Sequence, residues 1–195
     1  MNATLRDRIV EAAARRTVAQ GWSGVTMGRL ADVVGVSRQT VYNEVGSKGD
    51  LAEALVLREL GTFLAQVETA FVTQPDDVAA AVRDSVRSVL RYAERSPLLR
   101  AIVSSTHGVE TDLLPPLTTS SEMLVGSAST TVLGLLGPYD LPVSEVRLAG
   151  TVDVLVRTVL SQVLYPTQSA DECAEHLSWM VRSIVERADR DDASV

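Results

Sequence analysis

The chain has 195 residues, of which 46% are hydrophobic and 22% charged, a balance that excludes a disordered chain and allows a sizeable hydrophobic core. The net charge of −7 is unevenly distributed, because residues 1–48 carry seven Lys or Arg and four Asp or Glu, whereas the other 147 residues carry eleven and twenty-one. A basic N-terminal part on an acidic body can bind a polyanion with one end of the molecule only.

The N-terminal part is predicted to contain three helices. The first is predicted over residues 4–20, where apolar residues recur at helical spacing. The second begins after the N-cap Thr26 and ends at Gly35, and the third covers residues 38–45 after the N-cap Ser37. Two short helices joined by a tight glycine-containing turn predict a helix-turn-helix.

The rest of the chain predicts a second helical domain over residues 49–188, after an N-terminal domain over residues 1–48. A long helix is predicted from Lys48 to about Thr73, and Gln74-Pro75 ends it. Five further helices are predicted over residues 76–94, 97–104, 117–136, 144–165 and 169–188. Residues 189–195 are predicted to form a flexible tail. Helix formers abound and clean alternating strand patterns are hard to find, so the predicted fold class is all-α.

The first turn of the third helix carries the residues expected to read DNA. In a helix-turn-helix, the second helix enters the major groove with its N-terminal residues at the base edges. Arginine pairs bidentately with guanine and glutamine with adenine, and the methyl group of threonine can meet that of thymine. The candidates are Ser37, Arg38, Gln39 and Thr40. Outside this layout, Arg38, Gln39 and Asn43 would be interpreted as an ordinary solvated face.

Three further residues are expected to bind the phosphate backbone, which fixes register without reading sequence. Thr26 stands at a helix N-terminus, where its hydroxyl, the backbone N–H groups and the helix dipole favour an anion. Tyr42 and Lys48 flank the reading turn, although a packing role for Tyr42 is an equal alternative. Val41 and Val45 point the other way and are expected to anchor the helix.

The N-terminal segment resembles the TetR family of one-component regulators. The residues that carry the resemblance are the opening helix, Val25-Thr26-Met27, Leu30-Ala31, Gly35-Val36-Ser37, Thr40-Val41-Tyr42, Gly46-Ser47-Lys48 and Asp50-Leu51. The resemblance implies a homodimer of nine- or ten-helix subunits that binds a palindromic operator, with a ligand in the body releasing it. It also places Thr26, Arg38, Gln39, Thr40, Tyr42 and Lys48 at positions that the family uses for DNA contacts.

Two departures from the family pattern affect the third helix. Val45 stands where an aromatic residue is common, and Asn43-Glu44 stands where basic or aromatic residues are frequent. The string SRQTVYNE is also similar to actinobacterial members found near alkane-oxidation genes.

The last two helices are the candidates for the dimer interface that the resemblance implies. Each is apolar on more than one side and must bury more than one side, either in a dimer or in the core of one monomer. The predicted interface residues are Val152, Val156, Val159, Val163, Leu177, Met180, Val181 and Ile184.

The ligand site that the resemblance implies would lie inside the body. The candidates are Phe63, Val67, Phe71, Val89, Leu90, Leu98, Ile102, His107, Met123 and Leu124, each of which is also interpretable as plain core or, for His107, as an exposed loop residue. Few charges occupy these faces, which favours a mostly hydrophobic ligand such as a fatty acid, an acyl chain or a drug-like molecule.

Two other classes of protein compete with a regulator. An enzyme is disfavoured because His107, His176 and Cys173 form no recognisable nucleophile or metal motif, so no metal or cofactor is predicted. A helical interaction module would leave the polar turn at residues 38–40 unexplained. A single cysteine, no signal-peptide pattern at the N-terminus and no membrane span lead us to expect a cytoplasmic protein.

Overall fold

The fold, taken from a computed structural model that describes residues 3–106 and 121–192, consists of helices joined by short loops. The helices are α1 (Leu5–Gln20), α2 (Met27–Val34), α3 (Arg38–Val45), α4 (Lys48–Thr73), α5 (Val78–Arg95), α6 (Pro97–Thr106), α7 (Ser121–Leu136), α8 (Glu145–Leu164) and α9 (Ala170–Asp192), with one 3₁₀ turn at Trp22–Gly24. The all-α prediction is confirmed for the described ranges. None of their helices is long and apolar enough to cross a membrane.

The C-terminal helix is longer than predicted. Residues 189–192 belong to α9, so the predicted flexible tail began too early. No glycine or proline interrupts this stretch, and Arg190 Nε donates to the carbonyl of Glu186 at 3.0 Å. A basic side chain in the last turn, here Arg190, also interacts favourably with the helix dipole and stabilises this end of α9.

The chain folds into two compact units. The first contains α1, α2, α3, α4 up to Leu60, and α6; the second contains α4 from Gly61, α5, α7, α8 and α9. The sequence predicted a boundary after residue 48. The first unit instead extends to Leu60, because Leu51 and Leu55 of α4 are fully buried in its core.

The core of the first unit gathers the apolar sides of α1, α2, α3 and α4. Ile9, Trp22 and Leu30 are almost completely buried in it. Val41 and Val45 of α3 are buried there too, on the side that the sequence assigned to anchoring. The exposed side of α3 is therefore fixed by what its opposite side packs against.

The second unit is built around the long contact between α5 and α9. Leu90 packs with Cys173, Ala174 and Leu177 in the core between them. Ser178 Oγ donates to the carbonyl of Ala79 at 2.8 Å. A second cluster joins the far end of α4 to α5, α7 and α8.

An ion-pair network borders the contact between α5 and α9. Arg87 contacts Asp84, Asp171 and Glu175, and Arg91 contacts Asp171 at 2.8 Å. The hydrogen bonds from Arg91 and Arg87 lower the pKa of Asp171, because they stabilise its charged form.

Candidate nucleic-acid interface

The turn between α2 and α3 has the geometry of a helix-turn-helix. Gly35 ends α2 with φ +79°, in the left-handed region that favours glycine. The N–H groups of Gly35 and Val36 both donate to the carbonyl of Ala31, at 2.9 and 3.1 Å. Ser37 then starts α3 directly, so the chain reverses within three residues and leaves the first turn of α3 at the surface.

The cap of α3 uses two of the predicted reading residues. Ser37 Oγ accepts a hydrogen bond from the Thr40 N–H at 3.0 Å, and the two side-chain hydroxyl oxygens lie 2.8 Å apart. Thr40 is half-buried. The main role of Ser37 in the structure is therefore to cap α3, and Arg38 and Gln39 are exposed beside it in the first turn.

The exposed side of α3 carries two side-chain pairs, each spaced by four residues. Arg38 Nη2 donates to the Tyr42 hydroxyl at 3.3 Å, and its guanidinium carbon lies 5.5 Å from the centroid of the Tyr42 ring. Gln39 Nε2 donates to Asn43 Oδ1 at 3.0 Å. Residues four apart share one face of a helix, so both pairs fix side chains that solvent would otherwise leave mobile.

Two of the three predicted phosphate-binding residues, Thr26 and Lys48, lie at helix starts. Thr26 is the exposed N-cap of α2, and its Oγ1 accepts from the Arg29 N–H at 3.3 Å. Lys48 begins α4, with its Nζ 5.0 Å from the ring centroid of the buried Trp22. The ring attracts the ammonium group and restricts where the lysine can reach.

Two arginines of α1 bind the C-terminal ends of α2 and α3, a role that was not predicted from the sequence. Arg6 Nη1 donates to the carbonyl of Glu44 at 2.6 Å, and Arg8 Nη2 donates to the carbonyl of Val34 at 2.9 Å. These carbonyls belong to the last turns of α3 and α2, where intrahelical partners run out. The sequence contained one indication that an outside donor was needed, because neither α2 nor α3 has a basic residue in its own last turn.

The start of α4 is fixed by a capping pair of its own. The Ser47 N–H donates to Asp50 Oδ2 at 2.7 Å, and the Asp50 N–H donates to Ser47 Oγ at 3.2 Å. The hydrogen bonds from Ser47 lower the pKa of Asp50. The ionised carboxylate thus holds the loop that presents Lys48.

The predicted dimer residues separate into buried and exposed sets. Val152, Leu177 and Val181 are core residues, and Val156, Val159 and Val163 are half-buried, whereas Met180 and Ile184 are exposed. The exposed pair lines a groove of about 1020 Å³ between α8 and α9, together with residues such as Arg147, Val154 and Arg187.

Three large apolar side chains on these helices lie outside the predicted set of interface residues. Val146 is 84% exposed, Trp179 69% and Val154 58%. Val146 and Val154 lie eight residues apart and therefore on one side of α8. The sequence showed that α8 and α9 are apolar on several sides, but it did not show which side the monomer leaves open.

The predicted ligand residues are distributed over separate packed clusters. Phe71 and Val67 belong to the cluster at the far end of α4, Leu90 to the cluster between α5 and α9, and Leu98 to the core of the first unit. Phe63, Val89 and Leu124 are buried, and Met123 is exposed. The side chain of Ile102 and the whole of His107 lie outside the described residues. Leu98 is therefore a core residue of the first unit rather than part of the body.

Cys173 and His176, the described members of the groups considered for catalysis, have different surroundings. Cys173 is buried and burial raises the pKa of its thiol, while His176 is exposed with Nδ1 2.9 Å from Gln168 Oε1. In residues 3–106 and 121–192, no three His, Cys, Asp or Glu side chains come together as a metal site.

Two family models match the chain. Residues 9–55 match the model described as bacterial regulatory proteins of the tetR family, and residues 77–183 match that of the bacterial tetracyclin repressor C-terminal domain. Among curated relatives, the HTH-type transcriptional regulator AlkX of Mycobacterium tuberculosis is 25% identical, over 95% of this chain and 87% of its own length. An uncharacterised HTH-type transcriptional regulator of the same species is 30% identical, over 86% of this chain and 79% of its own.

A solved structure is similar over nearly the whole chain. The crystal structure of the TetR family repressor AlkX from a Dietzia strain covers 94% of this chain and 96% of its own, with a TM-score of 0.76 and 24% identity. That repressor is described as implicated in the biodegradation of n-alkanes. The likeness shows a shared fold.

Proposed function

Because the chain belongs to the TetR family of DNA-binding transcriptional regulators, we propose that it is a cytoplasmic repressor that binds a palindromic operator as a homodimer and is released by a hydrophobic ligand. The observation that carries the DNA-binding part is the first turn of α3. Arg38 and Gln39 are exposed at the start of a helix whose opposite side, at Val41 and Val45, is buried. A helix held in this way can enter a major groove without rearranging.

Binding to DNA is tested by selecting bound fragments from a random duplex library and titrating their affinity against salt. We expect a steep linear fall of log affinity with log salt, because lysine and arginine release counterions from phosphates. Lys48→Ala should lower the magnitude of that slope by about one, on selected and random duplexes alike. A helical module that does not bind DNA would show neither selection nor slope.

Base reading is separated from charge by a matched pair of variants. Arg38→Ala should cost about 1–3 kcal/mol on the selected duplex and much less on random duplex, since a bidentate base contact carries discrimination. Arg100→Ala removes the same charge from an exposed position on α6 and should leave the preference unchanged. Equal losses on both duplexes in Arg38→Ala would remove Arg38 from the reading set.

Dimerisation through α8 and α9 is supported by the apolar side chains left exposed there. Val146, Val154, Trp179, Met180 and Ile184 all lie on these two helices. Val154, Met180 and Ile184 line one groove. An exposed apolar patch marks interaction sites in soluble proteins, and a two-fold pairing would cover the same surface on both copies. The interface that we propose retains Met180 and Ile184 from the predicted set, because they are exposed. The buried members of that set are left out, and the exposed residues Val146, Val154 and Trp179 are added.

The ligand class is proposed as a long alkyl chain with a polar end, such as a fatty acid. The buried aromatic and aliphatic residues of the second unit support an apolar site, with Phe63 set edge-on to Tyr92 at 5.5 Å between ring centroids. The n-alkane connection of the Dietzia repressor supports the same class. Dodecanoate and hexadecanoate should release a fluorescent operator duplex, and acetate should not. Retention of the duplex by every chain length would rule out this ligand class.

A further inference from the structure

Asn43 makes a contact on the exposed side of α3 to which the proposed function gives no role. Its Oδ1 accepts a hydrogen bond from Gln39 Nε2 at 3.0 Å. Both side chains are exposed, and the two residues are four apart on the helix. The neighbouring pair, Arg38 and Tyr42, repeats this spacing with a donated hydrogen bond of 3.3 Å.

The contact leaves free the atoms of Gln39 that read adenine. A glutamine amide has two N–H hydrogens and one carbonyl oxygen. Asn43 takes one of the hydrogens, which leaves the other N–H to donate to adenine N7 and Oε1 to accept from the adenine N6 amino group. Asn43 therefore restricts the amide without competing for the base.

The contact also couples the orientation of the Gln39 amide to that of the Asn43 amide. A glutamine free to turn about its last bond presents its donor and acceptor in either order. In the pairing that the structure shows, Nε2 of Gln39 faces Asn43 Oδ1 and Oε1 faces away from it. The reverse orientation requires both amides to turn together, so that Asn43 Nδ2 donates to Gln39 Oε1. An amide fixed before binding loses less side-chain freedom on the DNA.

From this geometry we propose that Asn43 is a positioning residue for specificity, whose side-chain oxygen holds the Gln39 amide in the orientation that selects adenine. The inference rests on the DNA-binding function proposed above. Asn43 acts through Gln39 and need not contact a base itself. Its removal should lower discrimination between bases without lowering the general affinity for DNA.

The experiment uses the full chain and the duplex selected from a random library by the wild-type protein. Affinities are measured on that duplex and on its single-base variants, at the position where Gln39→Ala loses its preference for adenine. Asn43→Ala should reduce the adenine preference about 5- to 10-fold, within the range of one bidentate base contact, and leave affinity for random duplex unchanged. In a Gln39→Ala background, Asn43→Ala should have no further effect.

Asn43→Asp separates positioning from direct reading. The carboxylate still accepts from Gln39 Nε2 but has no N–H to offer DNA. We expect it to retain the adenine preference while weakening binding to every duplex by the same factor, because it adds negative charge. Gln20→Ala is the matched control, since Gln20 Oε1 accepts from Arg16 Nη2 in an equally spaced pair on α1. It should change neither quantity, and the melting temperatures of the alanine variants should agree because the substituted side chains are exposed.

Three outcomes overturn the inference. An unchanged adenine preference in Asn43→Ala would show that Gln39 needs no support. Equal loss of preference in Asn43→Asp and Asn43→Ala would show that the Asn43 amide reads the base itself. Unchanged preferences in Gln39→Ala at all positions would remove Gln39 as the reader. In each case the wild-type protein still selects a sequence, whereas a wild type with no selection overturns the proposed function as well.

Discussion

Replacing Val154 with glutamate tests whether the groove between α8 and α9 is covered by a second copy of the chain. Val154 is 58% exposed and lines the groove. Full burial of a valine side chain stabilises by about 1.5–3 kcal/mol, so the exposed fraction leaves about 1–1.7 kcal/mol for each protomer to gain. Two-fold symmetry uses the residue twice, which brings the contribution to the dimer to about 2–3 kcal/mol.

The substitution also places two carboxylates in the same interface. Removing a carboxylate from water costs several kcal/mol when no partner compensates it. The lost valine contacts alone should raise the dimer dissociation constant about 30- to 160-fold, and any part of the carboxylate penalty that Arg147 and Arg187 of the groove leave uncompensated adds to this rise. Sedimentation equilibrium over a range of protein concentrations measures that constant directly, and operator affinity should fall with it because half-sites are then bound singly.

Val72 provides the matched control for this experiment. It is 77% exposed and lies on α4, outside the lining of the groove. Val72→Glu introduces the same side chain and should leave the dimer intact. A Val154→Glu protein that dimerises like the wild type would refute the assignment of the groove, and equal dissociation in both variants would point to a general effect of charge.

Three further predictions concern stability. Arg6→Met should lower the free energy of unfolding by about 1–2 kcal/mol, because it removes a charged donor from the last turn of α3. Operator binding should weaken with it. An unchanged melting temperature would contradict the capping role of Arg6. Gly46→Ala should destabilise more than Gly35→Ala in urea unfolding, since both have positive φ but only at Gly46 would the added Cβ collide with the Asp50 side chain. The stability advantage of wild type over Asp171→Asn should be complete above the ordinary Asp pKa of 3.8 and shrink as pH falls through the lowered pKa; an advantage independent of pH would contradict it.

Features set by local chemistry were predictable from the sequence. Thr26 and Ser37 cap the helices that they were predicted to cap, and Thr4 caps α1 in the same way. Each accepts a hydrogen bond from the N–H three residues on. Gly21 and Gly35 end helices with positive φ. These interactions span at most five residues, so the residues that decide them stand next to one another in the chain.

Features that depend on distant partners were not predictable in the same way. Val152 and Val154 are both apolar residues of α8, yet one is buried and the other exposed. Composition and period show that a helix has several apolar sides, but the neighbours that fold against it decide which side is covered. For the same reason, the sequence did not show which carbonyls Arg6 and Arg8 bind, since these lie 38 and 26 residues away in the chain.

A buried polar contact reinforces the membership of α6 in the first unit, in addition to the packing of α6 against α1. Glu59 is only 6% exposed, although a glutamate on a long helix is normally solvated. Its Oε2 accepts from Ser96 Oγ at 2.9 Å, and the same hydroxyl accepts from the Leu99 N–H at 3.1 Å. The carboxylate therefore holds the capping residue of α6, while Leu98 enters the core of the first unit.

A buried carboxylate without a hydrogen-bond donor is costly, whereas apolar contacts tolerate many arrangements. The pair of Glu59 and Ser96 therefore favours one placement of α6 on α4 over the alternatives that its apolar residues alone would allow. This role could not be predicted from the sequence, because Glu59 and Ser96 are 37 residues apart and become hydrogen-bond partners only in the folded chain.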